Sequence, residues 1–247
     1  MFQESDLTYA PRKGCKRWVS YFDILGFGKK CNNSPAMEVF AQLAKCRKAL
    51  EQRFKKQRKA DWSKFEFVHF SDSFVIYNQS DNSEQDRPTF GGIEQVSHFF
   101  VQELILGGIP VRGAMSWGDF YADKERNIFF GKALVEAHDV AECCNWLGFV
   151  ICPSAARRIE TELGKPIEKF SGYADYYRQW EIPAQESRKI VVQPKIGTAC
   201  RFDITVRNAA RKQLFELLEK LRVQAEKPEQ KRKYENTVAF LQNSPTA

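Results

Sequence analysis

Apolar residues in this chain fall into short dense runs separated by longer stretches with helical spacing. The run RWVSYFDILGF (17–27) is rich in aromatic and β-branched residues and ends on Gly26 and Gly28, which reads as a buried strand followed by a tight turn. Ser34-Pro35 supplies an N-cap and a proline at the first helical position, and Phe40, Leu43, Leu50 and Phe54 keep helical spacing, so the strand leads into a long helix. FEFVHFSDSFVIY (65–77) holds two β-type runs broken only by Ser71-Asp72-Ser73, the pattern of a hairpin whose tip carries one acid. A polar loop over 79–92 follows. Helical spacing resumes over 93–106, until Gly107-Gly108 and Pro110 stop it.

VRGAMSW (111–117) reads as another strand and Asn127–Phe130 as a short one across a turn. Gly131 opens a helix to about Trp146, GFVICP (148–153) gives a strand, 154–163 a helix and RKIVVQP (188–194) a last strand. A hairpin set among alternating strands and helices predicts an α+β sandwich, a mixed, mainly antiparallel sheet with helices on one side. From about 203 the pattern is purely helical: Ile204, Leu214, Leu218 and Leu221, a break at Pro228, then Tyr234, Val238 and Leu241. The expected organisation is an N-terminal arm (1–16), a main domain (17–200) and a C-terminal helical hairpin (201–247) that either caps the domain or serves as an interaction surface.

Composition changes this picture little. The 247 residues, 43% hydrophobic with 20 Phe and 28% charged, suit one main core and a solvated exterior. No apolar run approaches the roughly 18 residues that span a bilayer, and the first residues lack a secretory core, so a cytoplasmic protein is expected, without a membrane partner. Seven scattered cysteines include no C-x-x-C pair and read as reduced thiols. The net charge of +7 comes largely from KKQRK (55–59) and QKRK (230–233), which read as solvated helix faces and not as a nucleic-acid surface. A modest positive field equally favours a triphosphate.

Chemistry concentrates in two acids. Asp23 ends an otherwise apolar strand, where an unpaired carboxylate is costly to desolvate, so it needs a partner such as a cation. Asp72 sits at the hairpin tip. If strands 18–24 and 66–71 are sheet neighbours, the two carboxylates converge and, with a backbone carbonyl and triphosphate oxygens, form a hard oxygen site of the kind Mg²⁺ or Mn²⁺ prefers. Either Asp alone could simply cap a turn.

At these residues the chain resembles the class III nucleotidyl cyclases. YFDILGFG is similar to that family's first strand and turn, HFSDSF to its second metal-binding hairpin, and RGAMSWG with FFGKALVEAHDVAE to its later strand pair and helix. The resemblance covers about residues 17–152. It implies Asp23, the Ile24 carbonyl and Asp72 as ligands of two Mn²⁺ or Mg²⁺ ions, turn amides such as that of Phe27 on the phosphates, and a homodimer with sites between subunits. Where the usual purine cyclases carry an Asn and, four residues later, an Arg, this chain has Val135 and Asp139. The purine-selecting positions fall near Val68 and Ile128, both apolar.

That departure is similar to the pyrimidine cyclases of bacterial Pycsar antiphage systems, which implies UTP (or CTP) as substrate, cyclic UMP as product and a signal in antiviral defence. An adenylate or guanylate cyclase, or a cyclase-like module that senses nucleotides without turnover, are the alternatives. Arg112, beside the acids, suits phosphate oxygens or an ion pair equally. Tyr21 shares the strand face of Asp23 and would meet base or ribose, or pack in the core. His69, His98 and His138 lack mutual ligand spacing and read as structural.

Overall fold

A computed structural model describes residues 16–57, 64–78, 89–184, 196–200 and 208–243. Nine strands and seven α-helices are described, in the order β1 (Lys16–Ile24), α1 (Phe27–Asn33), α2 (Ala36–Gln57), β2 (Phe65–Phe70), β3 (Ser73–Asn78), α3 (Thr89–Leu106), β4 (Val111–Asp119), β5 (Tyr121–Asp123), β6 (Ile128–Phe130), α4 (Lys132–Cys143), β7 (Phe149–Ile151), α5 (Pro153–Leu163), β8 (Tyr177–Glu181), β9 (Ile196–Cys200), α6 (Asn208–Gln224) and α7 (Pro228–Gln242). Seven strands form one sheet in the order β2-β3-β1-β4-β7-β9-β8, and β5 and β6 form a separate ribbon. Only the β4–β7 pairing is parallel, so the sheet is mixed and mainly antiparallel, as the sequence predicts.

Two expectations about the sheet need correction. The strand beside β1 is β3, not 66–71, because β3 carries the apolar Ile76 and Tyr77 that belong in the sheet interior, whereas β2 carries Glu66 and His69 and takes the edge. Helices also cover both faces. Trp18, Ser20 and Phe22 point towards α3, where they meet Phe90, Ser97 and Phe100. On the other face Val19 shares a small core with Tyr77, Phe120 and Ala133 at the start of α4, and Tyr21 meets His138. Both parities of β1 are apolar, so both faces must be buried.

Other differences are local. The turn at Gly26, whose φ of +73° favours glycine, opens directly into α1. Helix α3 begins at Thr89, α4 stops at Cys143, and β8 and β9 have no counterpart in the sequence reading. The expected strand over 188–194 lies outside the described residues, as does Ile204. In α7, Pro228 occupies the first turn. The C-terminal helices join the main core through Leu214, Leu218, Phe240 and Leu241. Among the described residues, six cysteines are free thiols, and no helix is long and apolar enough to cross a membrane.

Gly131, between β6 and α4, has φ +146°, and a Cβ there would lie 2.2 Å from the Asp119 carbonyl oxygen. Gly131→Ala should therefore lower unfolding free energy by about 2–4 kcal/mol, strain and overpacking combined. Gly118→Ala, whose Cβ would meet only Ala133 at 3.8 Å, should change it little. Urea unfolding of both variants checks this, and equal effects would contradict it.

Candidate active site

The register of β1 places Asp23 opposite Ser73 of β3 on one side and Arg112 of β4 on the other. The tip of the β2–β3 hairpin, Ser71-Asp72, is thereby held over the end of β1, and the Ile24 amide donates to the Asp72 carbonyl at 2.8 Å. Ser71 sits in the left-handed region with φ 57°, and the His69 ring bonds its carbonyl at 2.8 Å while stacking on Phe74. This braced turn fixes where Asp72 lies. Two acids separated by 48 residues of sequence thus stand at one end of the central strands.

Arg112 is buried, at 4% exposure, and its donors are directed to protein oxygens. Nε donates to Asp23 Oδ2 at 2.8 Å, and Nη2 lies 2.8 Å from the same oxygen and 2.5 Å from Glu142 Oε1. Nη1 donates to the carbonyls of Glu142 and Cys144 at 2.8 and 3.2 Å. Of the two sequence readings of Arg112, the ion pair is the one observed here, buried rather than at the surface. A phosphate contact requires a donor to leave one of these partners.

Tyr21 is buried on the face of Asp23. Its hydroxyl shares a hydrogen bond with the Ser73 hydroxyl at 2.8 Å, and its ring meets the edge of His138 with centroids 5.1 Å apart. Phe27, the first residue of α1, follows the Gly26 turn and packs partly buried against the main core. The structure therefore brings Asp23, Asp72, Arg112 and Tyr21 together, with Ile24 and Phe27 on either side of the adjoining turn. Glu142 was missed in the sequence reading; on a helix of mixed composition one more Glu carries no signal until Arg112 is placed opposite it.

The electrostatics of the cluster are lopsided. Burial pushes the Asp23 carboxyl above its ordinary range; Arg112 opposes this, while Glu142 and Asp72 reinforce it. Burial likewise raises the Tyr21 phenol, opposed by the Ser73 hydrogen bond and reinforced by Asp23, Glu142 and Asp72. Two carboxylates thus share one guanidinium while a third, Asp72, adds its charge to Asp23, a residual negative charge of the kind a divalent cation offsets. Among the described residues no three His, Cys, Asp or Glu stand together as a metal cage. The donor set instead fits a hard cation held by one or two carboxylates and completed by a ligand's own oxygens.

No family model matches the chain, and no curated protein matches it in sequence. Solved structures do match. The catalytic core of a rhodopsin-guanylyl cyclase with converted specificity, in complex with ATPαS, superposes with TM-score 0.52 at 14% identity, over 75% of this chain and 93% of that one. The guanylate cyclase domain from Catenaria anguillulae in complex with GTP gives 0.49 at 13%, over 76% and 96%. Adenylate cyclases of Trypanosoma brucei in their monomeric state give 0.49 at 12%, over 82% and 96%. At these identities the likeness is one of fold: an α+β sandwich of the class III cyclase type.

The raised Asp23 pKa has a consequence for stability. A carboxyl that holds its proton more tightly when folded costs stability as pH rises from the unfolded range near 3.8 through the folded pKa, and the cost is complete above it. Urea unfolding between about pH 4 and about pH 7 should show wild type losing stability relative to Asp23→Asn as pH rises. A difference that grows in favour of wild type would mean that Arg112 outweighs burial.

Proposed function

We propose that this chain is a metal-dependent nucleotidyl cyclase that converts a nucleoside triphosphate to its 3′,5′-cyclic monophosphate and pyrophosphate. The observation that carries the reading is the convergence of Asp23 and Asp72 at one end of the central strands, with surplus negative charge around them. Asp23, the Ile24 carbonyl and Asp72 would hold two Mn²⁺ or Mg²⁺ ions. When bound, such ions lower the pKa of the ribose 3′-hydroxyl and offset charge on the leaving pyrophosphate.

The protein's own contribution is positional. The braced Ser71-Asp72 tip and the Arg112 clamp fix the two carboxylates before substrate arrives, so little reorganisation remains at the moment of reaction. The backbone at Phe27, in the turn after Gly26, faces the phosphates in this reading, and Tyr21 stands towards the base or ribose. Arg112 acts on the nucleotide chiefly through Asp23; direct contact with phosphate needs one of its donors released.

We assign UTP as the preferred substrate, with CTP second, cyclic UMP as product and antiviral signalling as its use, and a cytoplasmic homodimer as the working unit. Val68 and Ile128 offer no hydrogen bond to sort adenine from guanine, the means by which polar pockets reject wrong bases strongly. Val135 of α4 is 58% exposed and Phe70 of the hairpin 81%, apolar surface that a second copy would cover. Ile128 is half-exposed, an open edge that admits a purine as readily as a pyrimidine, and this favours an adenylate or guanylate cyclase as the second reading.

Asp23→Ala and Asp72→Ala should each abolish turnover with Mn²⁺ saturating; Asp72→Ala should leave circular dichroism unchanged, whereas Asp23→Ala removes a buried partner of Arg112 and lowers stability, so Asp23→Asn, which keeps an acceptor oxygen, is its folded control. Near wild-type turnover in either variant would refute the metal assignment. In a second experiment the four ribonucleoside triphosphates compete at equal concentration and mass spectrometry reports products. Uridine product should exceed each purine product by at least about tenfold, on the order of 1.4 kcal/mol in transition-state binding. Dominant cyclic AMP or cyclic GMP would defeat the pyrimidine assignment alone, and no product from any nucleotide would point to a non-catalytic nucleotide-sensing module.

A further inference from the structure

The C-terminal helices α6 and α7 reach the acid cluster through a continuous chain of contacts. Asn236 Nδ2 of α7 donates to the Asn145 carbonyl at 2.7 Å, and the Leu147 amide donates to the Thr237 hydroxyl at 2.8 Å. That hydroxyl in turn donates to the Lys233 carbonyl of its own helix at 2.7 Å. Between these two anchors Trp146, fully buried, meets Phe240 edge-on with centroids 4.5 Å apart. Helix α7 therefore holds the middle of the connector between α4 and β7, at Asn145, Trp146 and Leu147.

The same connector supplies an acceptor to Arg112. The Cys144 carbonyl, one residue before Asn145, and the Glu142 carbonyl and carboxylate at the end of α4 hold the guanidinium from one side. Asp23 holds it from the other. A connector outside helix and strand stays put only as far as individual contacts fix it. The Cys144 amide donates to the Ala141 carbonyl at 3.1 Å and Cys144 bridges Ala184, the Asn145 amide finds the Pro183 carbonyl at 2.7 Å, and the Gly148 carbonyl accepts from the Gly113 amide at 2.8 Å; between these points α7 adds the side-chain bonds to Asn145 and Leu147. A second, exposed contact reaches the segment after β1: Glu226, in the α6–α7 connection, pairs with Lys29 of α1 at 2.5 Å.

We propose that α7 is a positioning element of the active site, in which Asn236 and Thr237 fix the 144–147 connector so that Arg112 presents the Asp23 carboxylate in one orientation. Neither residue touches substrate or the reacting atoms. With the connector loosened, the guanidinium is free to turn its released donors onto Asp23, covering the oxygens that a cation needs. The hairpin then contributes to affinity for the metal, and not merely to burial of the core. Its consequence for turnover rests on the cyclase reading; its consequence for Arg112 does not.

The test uses the full chain and two readouts. The first is the Nε–H signal of Arg112 in ¹⁵N–¹H NMR, assigned by its loss in Arg112→Lys, with its rate of exchange with water. The second is binding of Mn²⁺ alone, from the electron paramagnetic resonance of the free ion. Asn236→Ala and Thr237→Val should each change both, speeding Arg112 exchange and weakening Mn²⁺ binding by about tenfold, the usual effect of losing a partner that orients a metal ligand. Thr237→Ser, which keeps the hydroxyl, should restore both.

Thr237 is fully buried, and if its valine variant fails to fold, the half-buried Asn236 decides the matter. Unchanged Arg112 exchange in folded Asn236→Ala overturns the proposal, and so does altered Mn²⁺ affinity without altered exchange, since the effect would then travel by another route. If wild type binds no Mn²⁺, the metal assignment fails while the Arg112 signal still decides the role of the hairpin.

Discussion

A guanidinium buried between carboxylates from two different elements is the constraint around which this molecule is arranged. Arg112 on β4 faces Asp23 on β1 and Glu142 at the end of α4, with side-chain exposures of 5%, 11% and 13%. Such a cluster gains little over apolar packing as long as it is complete, but removing one member strands a desolvated charge at a cost of about 3–5 kcal/mol. Its geometry therefore tolerates little movement of β1, β4 or α4 relative to one another. The antiparallel β1–β4 register, the stop of α4 at Cys143 and the course of the following connector all have to agree with it.

The same cluster explains why the site lies where it does. The fixed Asp23 marks the end of the central strands, and the hairpin tip is tied to that end by the bond from the Ile24 amide to the Asp72 carbonyl. One guanidinium cannot balance three carboxylates, so charge is left over where strands, turn and hairpin tip meet. Structure and candidate chemistry share one electrostatic cause.

Much of this was legible in the chain. The β1 run, the hairpin broken at Ser71-Asp72-Ser73 and the glycine stops after α3 each carry strong local signals, and they bring Asp23 and Asp72 to attention as a pair. What escaped depends on long-range placement. Periodicity could not tell which hairpin strand would lie inside the sheet, because that depends on β3 offering Ile76 and Tyr77 to both neighbours. The burial of both faces of β1 lies in its unbroken apolar run, which the hairpin pattern obscured. Glu142 and the grip of Asn236 and Thr237 on the 144–147 connector had no sequence signal at all, since each is an ordinary polar residue on a helix until its partner about 90 or fewer positions away is known.

The account stands or falls on whether the two acids serve intramolecular phosphoryl transfer, which differs from hydrolysis in its products. Phosphorus NMR of samples taken from the purified protein with UTP and Mn²⁺, freed of the paramagnetic ion on a chelating resin before measurement, follows every phosphate at once. The expected result is a cyclic phosphodiester resonance and a pyrophosphate resonance that grow in equal amounts as the triphosphate disappears. Orthophosphate appearing with a nucleoside diphosphate, in place of that pair, would contradict the central claim.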